Sequence, residues 1–260
     1  MGQRSLIEWT DATWNPVTGC TQLTAGCDHC YALTLATKRL RSQYLRRDPV
    51  DPTRENRRDP FAVRLWPERL REPARWREPR MVFVNSMSDL FHADVPDAFI
   101  REVFTVMLEA DRHIYQVLTK RPARAARFIR RNSSLFSDTQ LPPHIWLGVS
   151  VEREDVLYRV KQLRSIPAAV RFLSCEPLLG PLELELGGIH WVIAGGESGR
   201  GYRPLDLDWV RSIRDACRAA KVPFFFKQVG GYTPKAGGRE LDGREWNEFP
   251  AITNAHLTAA

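Results

Sequence analysis

Met81–Lys120, MVFVNSMSDLFHADVPDAFIREVFTVMLEADRHIYQVLTK, holds a strand, a helix and a second strand, and its pattern decides the fold class. Met81-Val82-Phe83-Val84 is a continuous apolar run, as a strand buried on both faces must be. From Pro96 to Asp111 the residues Phe99, Ile100, Val103, Phe104, Met107 and Leu108 recur at helical spacing, with proline in the first turn. Tyr115 to Leu118 is apolar again. Apolar strands separated by amphipathic helices predict a parallel sheet covered by helices.

Working outward, the alternation continues. Helices are expected over Pro122–Arg131, Glu154–Arg164 and Leu207–Lys221, and strands over Ile145–Val149, Val170–Leu173, Trp191–Ala194 and Pro223–Phe226. Towards the N-terminus, residues 5–18 read as a first strand and Tyr31 to about Tyr44 as a helix. The fold expected is α/β, a complete or partial parallel β/α barrel, in one domain over residues 1–260. Residues 45–80, broken by Pro49, Pro52, Pro60, Pro67 and Pro73, read as an Arg/Pro-rich insertion that wraps the domain. Residues 229–260 form a C-terminal extension.

Net charge is +7, and Lys38 to Arg80 alone holds 14 Lys and Arg against 7 Asp and Glu, so this segment carries a surplus equal to that of the whole chain. A local basic excess suits a phosphate-bearing partner, DNA or RNA. Arg121, Arg124, Arg127, Arg130 and Arg131, spaced for one helix face, would extend the track, and Trp66 and Trp76 would stack on bases. No apolar run reaches the roughly 18 residues of a membrane span, and Met1-Gly2-Gln3-Arg4 lacks a signal-peptide core, so a cytoplasmic protein without a membrane partner is expected. Five cysteines, three of them clustered, point to metal or redox chemistry in a reducing compartment.

Nearly every strand ends in polar residues: Asn85-Ser86-Met87-Ser88-Asp89, Thr119-Lys120-Arg121, Ser150-Val151-Glu152, Ser174-Cys175-Glu176-Pro177, Gly195-Gly196-Glu197-Ser198 and Lys227-Gln228. In a β/α barrel these ends line one mouth, where ligands bind. Gly19-Cys20 to Cys30-Tyr31 follows the first strand and opens on the same mouth. Cys20, Cys27 and Cys30, spaced C-x6-C-x2-C, suit an iron–sulfur cluster held by three irons with the fourth open to a small molecule. Zinc with His29 or a distant fourth ligand is the competing reading.

Gly26-Cys27-Asp28-His29-Cys30-Tyr31-Ala32 resembles the G-C-x-x-C-Y-A segment of the radical S-adenosylmethionine superfamily, in the branch containing spore photoproduct lyase. Ser88-Asp89, Thr119-Lys120 and Gly148-Val149-Ser150 are similar to that branch's positions in the same strand order. At finer grain the chain looks like a phage-associated three-cysteine family. Trp14–Cys20, Asn85–Phe91, Ser174–Gly180, Gly195–Ser198 and Phe226–Gln228 carry that likeness. There are two departures: the first cysteine gap is six residues where the superfamily uses three, and Gly195-Gly196-Glu197 follows a late strand instead of the second.

The resemblance implies a 4Fe-4S cluster on Cys20, Cys27 and Cys30, S-adenosylmethionine as cofactor and an external electron donor. It assigns Ser88 and Asp89 to the methionine ammonium, Lys120 to its carboxylate and Ser150 to the ribose. Cys175 is a candidate hydrogen-atom donor, Glu176 and Glu197 candidates for gripping polar groups, and Lys227-Gln228 for closing the site. The reaction expected is reductive cleavage of S-adenosylmethionine to start radical chemistry on a substrate whose identity the sequence does not name, with a nucleic acid as its expected class. The alternatives are a zinc-stabilised nucleic-acid-binding protein and a metal-independent β/α hydrolase with Glu176 and Glu197 as acid–base pair.

Overall fold

The structure, a computed structural model, describes residues 5–136 and 140–251. A seven-stranded parallel sheet runs in chain order: β1 Ala12–Trp14, β2 Met81–Val84, β3 Ile114–Thr119, β4 Ile145–Ser150, β5 Arg171–Cys175, β6 Trp191–Gly195 and β7 Phe224–Gln228. It curls into a half-barrel with β1 and β7 as its edges, so the partial form of the expected barrel is the one adopted. The helices are α1 Tyr31–Lys38, α2 Asp97–Glu109, α3 Pro122–Arg131, α4 Tyr158–Arg164 and α5 Leu207–Ala220. None among the described residues is long and apolar enough to cross a membrane.

Three expected elements are shorter than their patterns, and one of them, the helix over Glu154–Arg164, is α-helical only from Tyr158, after a 3-10 turn at Glu154–Val156. The first strand stops at Trp14 because Asn15-Pro16 intervenes and proline offers no N–H to a ladder. Val17–Thr18 then pairs antiparallel with Arg64–Leu65. The first helix ends at Lys38, where the N–H groups of Arg39 and Leu40 both return to the Leu35 carbonyl, and a separate one-turn helix follows at Arg41–Tyr44.

Strand alternation separates two cores. Val82, Val84, Leu147, Val149, Leu173, Val192, Ala194, Phe224 and Phe226 pack with Phe104, Met107, Phe128, Val210 and Ile213 of the helices. The opposite, inner face carries Phe83, Ile114, Trp146, Phe172, Trp191, Ile193 and Phe225, closed by Trp9. Trp191 is its hub, in ring contact with Trp9, Trp146, Phe172, Phe225 and Phe249. Gly148 is required there, because a Cβ at that position would lie 2.4 Å from the Phe172 ring.

The free edge of β7 is covered by the chain that follows it. Phe226 donates to the Trp246 carbonyl and Glu248 to that of Phe224, which removes an exposed ladder. In the 45–80 stretch the tryptophans do not serve as exposed stacking platforms. Trp66 is buried, donates to Thr18 Oγ1 at 2.8 Å, and lies beneath the guanidinium groups of Arg47 and Arg69. Trp76 packs on the main core, edge to face with His113. Arg64, fully buried, donates to the carbonyls of Arg47, Asn56 and Ala62.

Candidate active site at the mouth of the half-barrel

Above the aromatic layer, the same inward alternation turns polar. Ser174 and Glu176 project inward from β5, and the Ser174 hydroxyl donates to Glu176 Oε2 at 3.1 Å. Lys227 on β7 meets Glu176 Oε1 at 3.0 Å. Gly195 between them lets the pair close, since a Cβ there would lie 3.2 Å from that oxygen. Ser150 ends β4 on this face and is buried.

Cys175 does not join them. One residue from Ser174 and Glu176, it points to the opposite face, fully buried in the main core, and burial pushes its thiol well above the ordinary range. The expectation of a hydrogen-atom donor at Cys175 is corrected by this period-2 geometry.

The cysteine loop caps the mouth. Gly19 has φ of 87°, and a Cβ on it would strike the Ala62 carbonyl oxygen at 2.2 Å. The N–H groups of Gly19 and Cys20 donate to the carbonyls of Met87 and Phe61, so the wrapping segment and the turn after β2 fix the first cysteine. Cys30 is the N-cap residue of α1. All three thiols are half-buried, and Cys20 and Cys30 border the same small apolar cluster of Ala32, Ala36, Tyr44, Phe61, Trp66 and Met87. Burial pushes the Cys20 thiol up to about 11 against the pull of Arg121, with nearby Asp89 and Cys27 adding to the rise. Arg121 Nη1 lies 3.5 Å from the Cys20 sulfur.

Asp89 lies beside this loop with its carboxylate fully engaged. Oδ1 accepts from the Phe91 N–H at 2.9 Å and the Thr119 hydroxyl at 2.8 Å, while Oδ2 accepts from the Lys120 N–H and Arg121 Nη1, both at 3.0 Å. With four donors in place it is a structural anchor, not the open acceptor expected for an ammonium. Ser88 is likewise occupied, donating to the Val17 carbonyl at 2.9 Å. Lys120 is freer, with Nζ 4.0 Å from Glu152.

Glu197 is held by His29 Nδ1 at 2.8 Å and by Arg203 through its N–H, Nε and Nη2 at 2.9, 3.0 and 2.6 Å. Burial pushes this carboxyl up, but the hydrogen bonds from Arg203 and His29 outweigh it and hold it below the usual range. It clasps the cysteine loop and has no free acceptor facing a ligand.

A family model described as "Protein of unknown function (DUF5131)" matches residues 4–250. The chain belongs to that family. No curated protein matches it. A solved structure of spore photoproduct lyase complexed with dinucleoside spore photoproduct is similar to it at TM-score 0.48 and 10% identity, over 83% of this chain and 63% of that one. The chain thus spans less than two thirds of that protein's length.

In this DUF5131 chain the loop is seated by Glu152 and Arg121, which the sequence offers as polar strand ends, and by Arg203, which it does not single out. Glu152, buried at the end of β4, accepts from the Thr24 hydroxyl and from Arg159 Nη1 at 3.0 Å. Arg203 had no signal, since it lies in a Gly-rich connection without period. Arg121 was legible as a polar strand end after Thr119-Lys120 and as one of five helix-face arginines. Two of those five are diverted: Arg121 to Asp89 and the cysteine loop, Arg124 to the Val95 carbonyl and Asp97.

Three cysteine thiols in one loop are donors of the type a cluster takes. Of the five cysteines, only the three in this loop are partly exposed, and Cys175 and Cys217 are buried in the main core. Among the described residues no three His, Cys, Asp or Glu side chains form a group suited to one metal ion. A cluster does not need such a group: each thiolate takes a different iron, so the sulfurs stand apart around it instead of converging on one atom.

Proposed function

We propose that this protein is an iron–sulfur enzyme in which Cys20, Cys27 and Cys30 hold a 4Fe-4S cluster that acts with S-adenosylmethionine. The observation that carries the reading is that the three partly exposed thiols share one loop over a half-barrel mouth lined by polar strand ends. When bound, the pair supplies one-electron cleavage of a carbon–sulfur bond, and hence a radical able to abstract hydrogen, with the electron delivered by an external donor.

The chain's own groups have distinct tasks in this scheme. Arg121 favours the thiolate of Cys20, against burial, and so favours metal uptake. Lys120 is positioned to pair with a carboxylate and Ser150 to bond a ribose hydroxyl. Glu176 and Lys227 present an acceptor and a donor to polar groups of the substrate. The aromatic floor beneath them keeps bulk water from entering along the barrel axis.

A nucleic-acid substrate is supported by a groove of about 380 Å³ beside the cysteine loop, lined by Lys120, Arg121, Arg124 and Arg127 with Phe91 and the half-exposed Tyr158 and without an acidic residue. Exposed Arg130 and Arg131 extend the positive surface. The zinc reading has less support, because among the described residues no three His, Cys, Asp or Glu side chains converge as one zinc ion requires. The hydrolase reading has less too, because Arg203 and His29 occupy the Glu197 oxygens.

Anaerobic reconstitution with iron and sulfide tests the first claim. A brown protein whose absorbance and spin signal change on adding S-adenosylmethionine is expected, and loss of both in the Cys20, Cys27 and Cys30 triple alanine variant. A colourless protein carrying one tight zinc would overturn it. Fluorescence titration with single-stranded DNA and RNA at low and moderate salt tests the second: binding that weakens steeply with salt is expected.

A further inference from the structure

The two ends of the cysteine loop are seated by different means. At Cys20 the backbone is fixed by carbonyls of neighbouring segments. Arg121 also reaches the Cys20 sulfur and Thr21, whereas from Thr24 to His29 the contacts come from Glu152, Glu197 and Arg203. The Thr24 hydroxyl donates to Glu152, whose other oxygen is held by the buried Arg159. Gly26 passes directly over Glu152, where a Cβ would lie 2.9 Å from its side chain. Arg203 reaches the Ala25 carbonyl at 2.9 Å and Asp28 at 3.3 Å while bonding Glu197, which in turn holds His29.

A buried carboxylate is costly to desolvate unless its oxygens are matched by donors. Here Glu152 and Glu197 find several of their donors on the loop or on Arg203, which itself grips the loop. Displacing Thr24–His29 would take the Thr24 donor from Glu152 and the His29 donor from Glu197, and would leave Arg203 without Ala25 and Asp28. That penalty opposes loop opening, so the conformation does not depend on a metal to impose it.

We propose that Glu197 and Arg203, with Glu152 beneath, are positioning residues that hold Ala25–His29 and thereby aim Cys27 and Cys30 before any metal arrives. The use made of those thiols rests on the cluster reading, but the lock itself is measurable without metal.

The test is residue-resolved alkylation by iodoacetamide of the metal-free, full-length protein under anaerobic conditions, read by peptide mass spectrometry. In Glu197→Gln and Arg203→Ala, Cys27 and Cys30 should react roughly tenfold faster, as expected when charge-assisted hydrogen bonds no longer hold a segment closed. Cys20 should change by less than about twofold, and core Cys217 should stay protected. Arg203→Lys, which keeps the cation but not the fork, should fall between. Unchanged rates at Cys27 and Cys30 would overturn the proposal, as would acceleration of Cys217 in parallel, which signals general unfolding. In a second arm, the spin signal of the reconstituted Arg203→Ala protein should differ from that of the parent. If the parent takes up no iron, the cluster reading falls while the alkylation result still decides the lock.

Discussion

The floor and the rim of the half-barrel share the same strands yet are built by opposite physics. On the floor, Trp9, Phe83, Trp146, Phe172, Trp191 and Phe225 interlock as a dry aromatic layer. A few residues further along the same strands, Ser150, Ser174, Glu176 and Lys227 face inward with their polar atoms paired to one another or left for a ligand. Burial of apolar surface holds the floor; local charge pairing shapes the rim. Damage to the floor should therefore appear as lost stability, and damage to the rim as lost ligand binding.

The largest effect should come from Trp191→Ala, which empties the hub of the floor and should cost about 3–5 kcal/mol of unfolding free energy in a denaturant titration. A loss below about 1 kcal/mol, the range of an exposed site, would show that the floor is not the stabilising layer.

Acid should act next. His113 is fully buried beside Arg112 and Arg80, donates through Nε2 to the Pro73 carbonyl, and has its pKa lowered to about 4, chiefly by burial. The unfolded ring, with a pKa of about 6.5, binds a proton that the folded ring refuses, so this stability is present above pH 6.5 and lost as pH falls towards 4. The amount is on the order of 3 kcal/mol, and His92, His144 and His190 shift in the same direction. Thermal unfolding between pH 7 and 4.5 measures it, and His113→Asn should flatten the slope.

Asp89 sharpens the comparison because it stands at the rim but is built like the interior. Asp89→Asn should cost about 2 kcal/mol, through loss of charge-assisted hydrogen bonds from Arg121, Thr119 and backbone. If stability is unchanged while ligand binding falls, Asp89 belongs with the ligand-facing groups instead. The smallest stability change is expected for Lys227→Met, about 1 kcal/mol or less, with a larger loss in substrate binding. Equal stability losses for Lys227→Met and Trp191→Ala would erase the distinction between the two layers.

Much of the fold was legible because its signal is periodic. Continuous apolar runs such as Met81–Val84 and Phe224–Phe226, set between helical patterns such as Phe99–Leu108, dictate buried parallel strands whatever the details of packing. The boundaries at Pro16 and at Arg39–Leu40 were misread because a single residue or a carbonyl shared by two donors ends an element there, which periodicity does not register.

The candidate site was legible only as a list of residue types. That three cysteines occupy one loop after the first strand follows from chain order alone, as does the facing of Ser174 and Glu176 away from Cys175 once β5 is recognised, because strand side chains alternate. Which carboxylates remain open does not follow from order. Asp89 is consumed by Arg121, and Glu197 by an arginine six residues on and a histidine 168 residues away. A hydrogen bond depends on distances of a few ångströms between segments remote in sequence. Those distances exist only once the sheet has curled and brought the ends of β4 and β6 beneath the cysteine loop.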